Sequence, residues 1–239
     1  MHDRQPFSWG AWLRRRMKNE GVVPGSLALL KAAFELARDA LPSRRRLRYG
    51  DLDFDWDHRV DTTWSNLSLR TRLREVLLGR QYQPTDALTF HALMAHLTID
   101  FRSFTFVDLG CGKGRALLLA SGYPFRRIVG VEVLPELFAI ARLNAAKYSS
   151  AQQQCRVIDT WCGDARDYTL PPDPVVIFMF DPFPPAILRE MLARIEQSVR
   201  DTPREVWIAY QNPVSAKVLV ESVAFRQVAG TLQYAIFRN

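Results

Sequence analysis

Apolar and polar residues along this chain follow two rhythms, and the change between them falls near residue 100. Beyond that point, short continuous apolar runs alternate with segments whose apolar residues recur every three to four positions. Residues 104–109, 127–133, 155–161, 175–180 and 205–210 read as strands. Residues 114–120, 135–147, 185–199 and 214–221 read as helices, with Pro135 and Pro185 in first-turn positions where a missing N–H costs nothing. The run 175–180 carries no polar residue, the pattern of a strand covered on both faces. The tail, 225–228 and 232–237, reads as two strands joined through Gly230-Thr231 in a hairpin. Strands alternating with helices predict an α/β fold built on a doubly wound, mostly parallel sheet.

The first hundred residues have a different texture. From Ser26, a residue suited to an N-cap, Leu27, Leu30, Phe34, Ala37 and Leu41 recur at helical spacing, Lys31, Glu35 and Arg38 form a polar stripe, and Pro42 ends the pattern. Such a helix either packs on its own domain or, with the Arg run behind it, lies on a membrane surface. Residues 50–66 are acidic and aromatic (Asp51, Asp53, Phe54, Asp55, Trp56, Asp57, Trp64) and read as a long loop or lid. Tyr82-Gln83-Pro84-Thr85 precedes an apolar-periodic stretch to Leu97, with Thr85 as its expected N-cap. Three parts follow: a basic helical extension at 1–50, a lid and helix at 51–100, and a core at 101–239.

Charge divides the chain at the same place. Of the net charge of +7 over 239 residues, all is carried by residues 1–50, with eleven Lys and Arg against four Asp and Glu. The rest is balanced. Arg14-Arg15-Arg16 and Arg44-Arg45-Arg46 carry most of the excess, which suits RNA, an acidic protein or an anionic membrane surface, or simply a solvated arm. Cys111, Cys155 and Cys162 lack metal-ligand spacing, so neither a zinc site nor a disulfide framework is expected. No apolar run approaches the roughly eighteen residues of a spanning helix, and no signal-peptide pattern opens the chain; a cytoplasmic location is expected.

The chemistry concentrates at Asp108-Leu109-Gly110-Cys111-Gly112-Lys113-Gly114. A glycine-rich turn between a parallel strand and its helix exposes backbone N–H groups to a ligand, and the missing Cβ atoms allow close approach. An acid at the end of the next strand, Glu132, stands where doubly wound folds hold a ribose diol. Dinucleotide sites usually place a third glycine where this chain has Arg115. Asp108, directly before the glycines, would repel a pyrophosphate and attract an ammonium or sulfonium. Spacing and charge both point to a cationic nucleoside ligand.

Residues 107–115 (VDLGCGKGR) resemble motif I of class I S-adenosylmethionine-dependent methyltransferases. Gly130-Val131-Glu132, Gly163-Asp164-Ala165 and Asp181-Pro182-Phe183 resemble their second to fourth motifs, in the expected order. The resemblance implies a seven-stranded Rossmann-like sheet and S-adenosyl-L-methionine as methyl donor, with S-adenosyl-L-homocysteine as product. It implies that Asp108, Gly110, Cys111, Gly112 and Gly114 lie along the methionine moiety, that Glu132 meets the ribose, and that Asp164 and Ala165 meet the adenine. Asp164 equally suits a short acidic turn. Tyr82 and Thr85 resemble a segment that closes over the methionine end in some protein-lysine methyltransferases; Pro84-Thr85 also suits a plain helix start.

For the methyl acceptor, Asp181 stands at the C-terminal end of the fourth strand, where ligands approach such sheets. Its carboxylate suits an amine N–H, and Phe183 either faces the developing cation or packs under the next helix. The order Asp181-Pro182-Phe183 departs from the Asp-Pro-Pro-aromatic motif of amino methyltransferases and is nearer the Asn-Pro-Phe variants of poorly assigned bacterial members. Pro182, Tyr210 and Asn212 are expected on the acceptor side. His58 is a further candidate base, while His91 and His96, five apart, do not share a helical face. The expected activity is N-methylation of a protein lysine or another amine, needing no metal. The alternatives are methylation of RNA or of a small molecule, and a donor-binding protein without turnover.

Overall fold

The computed structural model describes residues 52–63, 67–68, 70–71, 74–75 and 82–239. The expected helix at 26–41, both Arg triplets and Trp64 lie outside them. Seven strands, β1 (Thr105–Leu109), β2 (Arg127–Glu132), β3 (Ile158–Cys162), β4 (Val175–Phe180), β5 (Val206–Gln211), β6 (Arg226–Gly230) and β7 (Tyr234–Arg238), make one sheet in the order β3-β2-β1-β4-β5-β7-β6. The first five are parallel, and β7 runs antiparallel to both β5 and β6. The chain starts mid-sheet, winds to the β3 edge, then returns to build the other half from β4. The strand order thus reverses between β1 and β4, and a crevice opens at their C-terminal ends.

The helices around the sheet include α1 (Leu52–His58), α2 (Ala87–Met94), α3 (Arg115–Ala120), α4 (Pro135–Lys147), α5 (Pro185–Asp201) and α6 (Lys217–Val220). Period-two alternation gives each strand one residue set per face. Phe106, Ile128, Phe178, Trp207 and Ile236 pack with Phe90 of α2, Leu117 of α3 and Ala141 of α4. Val107, Val129, Ile177, Ile208 and Phe237 pack with Leu188 and Leu192 of α5 and Leu219 of α6. Phe178 centres the first layer, with ring centroids 5.4 Å from Phe90 and 5.9 Å from Phe106. Among the described residues, no helix is long and apolar enough to cross a membrane.

The seven-stranded, mostly parallel sheet is as expected, and four local expectations are corrected. Residues 52–58 form a helix, not an open lid, with Asp53 and Asp55 in its first turn, where the helix dipole favours acids. The N-cap of α2 is Asp86, whose carboxylate accepts from Thr89 N at 2.8 Å, while Thr85 is buried before it. Strand β3 starts at Ile158, not at 155, because the backbone N–H groups of Gln154 and Cys155 are already committed to the carbonyl of Ser121 at the end of α3. Helix α6 keeps only 217–220 of the expected 214–221. The hairpin is present, although its connection falls at 231–233 and β6 carries a register shift between Gln227 and Ala229.

Gly130 lies where β2 passes beneath α3. A Cβ there would sit 2.6 Å from Leu117 Cδ1 and 2.8 Å from Cys111 Sγ, both within the closed core. Gly130→Ala is expected to destabilise the fold by about 1–3 kcal/mol, as overpacking does, read as a lower midpoint in urea unfolding. An unchanged midpoint would show that α3 moves away without cost.

Candidate functional site

The site grows from the end of β1. Alternation places Phe106 and Asp108 on one face, and Gly130 and Glu132 on the same face of the neighbouring β2, so the two acids come together at the crevice. The glycine loop then turns over them. Gly110 N and Cys111 N both donate to Val131 O, at 2.9 and 3.0 Å, which ties the loop to the end of β2. Glu132 ties it from below: Oε2 accepts from Gly112 N at 2.9 Å, and Oε1 accepts from Leu134 N at 2.8 Å.

Gly112 has φ +55°, and a Cβ on it would fall 2.3 Å from the Tyr82 ring. Only glycine admits both that turn and that ring. Tyr82 is fixed in turn by its hydroxyl, which donates to Thr62 O at 2.5 Å, and by its backbone N–H, which donates to Glu75 Oε1 at 3.0 Å.

The two acids differ in how they are satisfied. Burial raises the carboxyl of Glu132, and its backbone donors partly offset this. Asp108 is 3% exposed and has no hydrogen-bond or ion-pair partner among the described residues. Burial, and then the proximity of Glu132, hold its carboxyl well above the usual carboxylate range. Cys111 beside them is likewise raised, by burial first and then by both acids, so its thiol stays uncharged at neutral pH.

The cations of the loop are engaged by the segment 52–63, although Arg115 also borders the cleft. Lys113 is fully buried and donates to Asp61 at 2.6 Å. Arg115 Nη1 bonds Thr62 Oγ1 at 2.6 Å and Asp55 Oδ1 at 3.3 Å, and its guanidinium stacks 3.8 Å from the Phe54 ring centroid. Burial lowers it to about 10, so it remains a cation at neutral pH. Asp55 also accepts from Thr62 N and Thr63 N at 2.7 and 2.8 Å. Asn144 of α4 closes the arrangement, accepting from Asp61 N at 2.9 Å and donating to the carbonyls of Asp61 and Lys113 at 2.7 and 2.9 Å. Residues 52–63 therefore form a strap bolted to the outer side of the glycine loop.

One cleft collects most of the expected site residues. Asp108, Gly110, Cys111, Gly112, Glu132, Asp164, Ala165, Tyr82, Thr85, Asp181, Pro182 and Phe183 all line it. Gly114 does not; with φ +87° it caps α3 and packs on Ala141. Asp164 lines the cleft, yet its carboxylate caps the turn 165–167 and pairs with Arg166 at 2.6 Å. Phe183 packs on the α5-side core as well as lining the cleft.

Tyr210 and Asn212 lie outside the lining. Alternation turns Tyr210 to the far face of the sheet, and it meets the cleft only through its hydroxyl, which donates to Asp181 Oδ1 at 2.8 Å. Asn212 is exposed in a left-handed turn, φ +49°. His58 sits between Phe54 and Tyr148, away from the cleft, and His91 and His96 bond Tyr123 and Tyr234 hydroxyls at 2.8 and 3.0 Å.

The lining also includes Leu134, Leu137, Phe178, Phe180 and Ile187, a set absent from the sequence reading. In sequence these are ordinary strand and helix apolar residues, and only their position at the C-terminal end of the sheet separates them from the core. Arg115, read only as a missing glycine, and Asn144 are the other omissions. A lone Asn on the buried stripe of a helix is the signal by which Asn144 could have been found.

No protein-family model matches the chain, and no curated protein matches its sequence. Among solved structures it is similar to an RNA methyltransferase from Salinibacter ruber in complex with S-adenosyl-L-homocysteine, at 16% identity and TM-score 0.45, over 65% of this chain and 91% of that one. It is similar to a precorrin-6y C5,15-methyltransferase from Geobacter metallireducens, at 20% identity and TM-score 0.43, over 64% and 85%. A third is a predicted N6-adenine-specific DNA methylase from Listeria monocytogenes, at 13% identity and TM-score 0.47, over 65% and 51%.

Arg115→Ala removes the side-chain cation from a buried Asp55 carboxylate. The variant is expected to lose about 3–5 kcal/mol of stability, the usual cost of orphaning one partner of a buried pair, measured by chemical unfolding. A loss within 0.5 kcal/mol, about what a surface substitution costs, would show that the strap does not depend on this pair.

Proposed function

We propose that this chain is a class I S-adenosylmethionine-dependent methyltransferase that methylates nitrogen, with a protein lysine or another amine as acceptor. The observation that carries the reading is Asp108: a buried carboxylate, lining a cleft, without a hydrogen-bond or ion-pair partner among the described residues. Burying a charge unpaired costs several kcal/mol, and a ligand ammonium at the glycine loop supplies the missing partner. Glu132, already oriented by two backbone N–H groups, retains acceptor capacity for a ribose diol. Because the Asp164 carboxylate is held by Arg166, the adenine falls to the backbone of 163–165 and to Leu134 and Leu137. The same charges disfavour a dinucleotide, since Asp108 and Glu132 repel a pyrophosphate and Arg115 is engaged with Asp55.

The donor supplies a methyl group on a positively charged sulfur, a centre that needs no metal to react. The protein's part is alignment and exclusion of water. Asp181 accepts a hydrogen bond from the acceptor N–H and so aims the nitrogen lone pair. Phe183 offers an aromatic face to the positive charge that develops on that nitrogen. Glu75, Asp108, Glu132, Asp164 and Asp181 outnumber Arg115 in the lining, which favours an amine over a phosphate-bearing acceptor. Labelled donor incubated with host lysate is expected to mark the protein or small-amine fraction; label confined to nucleic acid overturns the amine assignment.

Calorimetry is expected to detect S-adenosylhomocysteine and not NAD. Asp108→Ala should weaken the former by about 1–3 kcal/mol, the cost of a lost charge-assisted hydrogen bond. The sign of the pH dependence follows from the raised carboxyl of Asp108. An ammonium ligand favours the ionised form, so binding releases protons between the ordinary carboxylate range and the raised value. Affinity then falls as the pH drops through that window. Calorimetry in two buffers of different ionisation heat measures the release; no release anywhere in the window would refute the role given to Asp108.

A further inference from the structure

Strand β5 contributes Tyr210 to the layer opposite the cleft, among Ile177, Met179 and Leu219. A Phe would pack there equally well, and a buried hydroxyl without partners is costly. Tyr210, 1% exposed, spends its hydroxyl twice: it donates to Asp181 Oδ1 at 2.8 Å and accepts from Ser215 N at 3.3 Å. Two left-handed turns, each followed by proline, bring these groups together. Asp181 has φ +39° before Pro182 at the end of β4, and Asn212 has φ +49° before Pro213 at the end of β5. Asp and Asn tolerate that conformation better than other side-chain-bearing residues. The second turn is held by Asn212 N donating to Gln233 O at 2.7 Å and by Val214 N donating to Asn212 O at 2.8 Å, and it carries Ser215 N to the phenol.

We infer that Tyr210 is a positioning residue for the methyl acceptor, acting through Asp181: the relay from Ser215 N–H through the Tyr210 hydroxyl fixes one carboxylate oxygen of Asp181 and so orients the group that receives the acceptor's N–H. This rests on the methyltransferase reading, with Asp181 on the acceptor side. The phenol touches neither donor nor acceptor. Its raised titration, caused first by burial and then by its bond to Asp181, keeps the proton on the phenol, so it serves as a donor to the carboxylate and not as a base. The relay spans β4 and β5 at adjacent register, Met179 opposite Tyr210 and Phe180 opposite Gln211. The angle of the Asp181 side chain is thereby set by the sheet itself and not by the loop 181–184 alone.

The test needs no identified acceptor. Sinefungin carries an amine where the donor carries its methyl group, so it presents an N–H to the acceptor side, and S-adenosylhomocysteine lacks that group. The ratio of their dissociation constants on the full chain therefore reads the acceptor side alone. Tyr210→Phe is expected to shift that ratio against sinefungin by roughly fivefold, because Asp181 keeps its charge and loses only the bond that orients it, with S-adenosylhomocysteine affinity unchanged. Asp181→Asn is expected to shift it by roughly tenfold, as for a charge-assisted bond, and adding Tyr210→Phe to it should change nothing further.

An unchanged ratio in either single variant overturns the inference. So does an equal weakening of both ligands in Tyr210→Phe, which marks the tyrosine as a packing residue. Asp181→Asn keeps the question open to measurement if Tyr210→Phe does not fold. Failure of the unaltered protein to bind S-adenosylhomocysteine rejects the methyltransferase reading and the inference with it; normal binding with an unmoved ratio rejects the inference only.

Discussion

Two carboxylates on adjacent strands, buried and of like sign, are the constraint around which this molecule is arranged. Asp108 and Glu132 share a face because both strands alternate in phase, and they end at the crevice because the sheet reverses its order between β1 and β4. Charges so placed repel, and each has lost much of its hydration. Glu132 is compensated by the N–H groups of Gly112 and Leu134, and that compensation shapes the glycine loop. Asp108 has no such donors among the described residues, and in the proposed function it faces a ligand ammonium.

Stability alone would be better served by turning Lys113 or Arg115 inward. Both cations are instead engaged by Asp61 and Asp55, and Asn144 locks the backbone between them. The strap 52–63 thus has an electrostatic role as well as a packing one. It supplies the counter-charges for the loop's own cations. The Tyr82 ring on Gly112 seals the remaining gap, with its hydroxyl bonded to the same strap. In the proposed function, this pairing of the loop's cations lets the acidic floor hold a cationic ligand.

This division explains what was legible in the sequence. Elements that bury a full apolar face announced themselves, as β4 and α4 did to the residue. That most of the residues expected on the donor side share one cleft was legible because the pattern is local: glycines, an acid before them and an acid on the next strand. Helix α1 was not, because its residues are acidic and aromatic and its stability is tertiary, through Arg115 on Phe54 and Asp55. Strand β3 was misplaced because it is an edge strand with no fully buried residue. Tyr210 was assigned to the cleft by proximity to a strand end, although period-two alternation alone places it on the opposite face from Phe178 and Phe180.

That alternation also divides labour within the site. Residues on the α3 side of the sheet, Asp108, Glu132, Phe178 and Phe180, line the cleft floor with two carboxyl groups and two aromatic rings. Asp181 belongs to the opposite phase, with Ile177 and Met179, and reaches the cleft only because its left-handed turn ends the strand there. A side chain in that phase can be supported from beneath by the α5-side core, and Tyr210 is the part of that core with a polar group to offer. In the proposed function, binding the donor and directing the acceptor thus draw on opposite faces of one sheet. On that reading a substitution in either layer is felt by its own half of the chemistry, because the closely packed strands between them leave little room for the two faces to relax together.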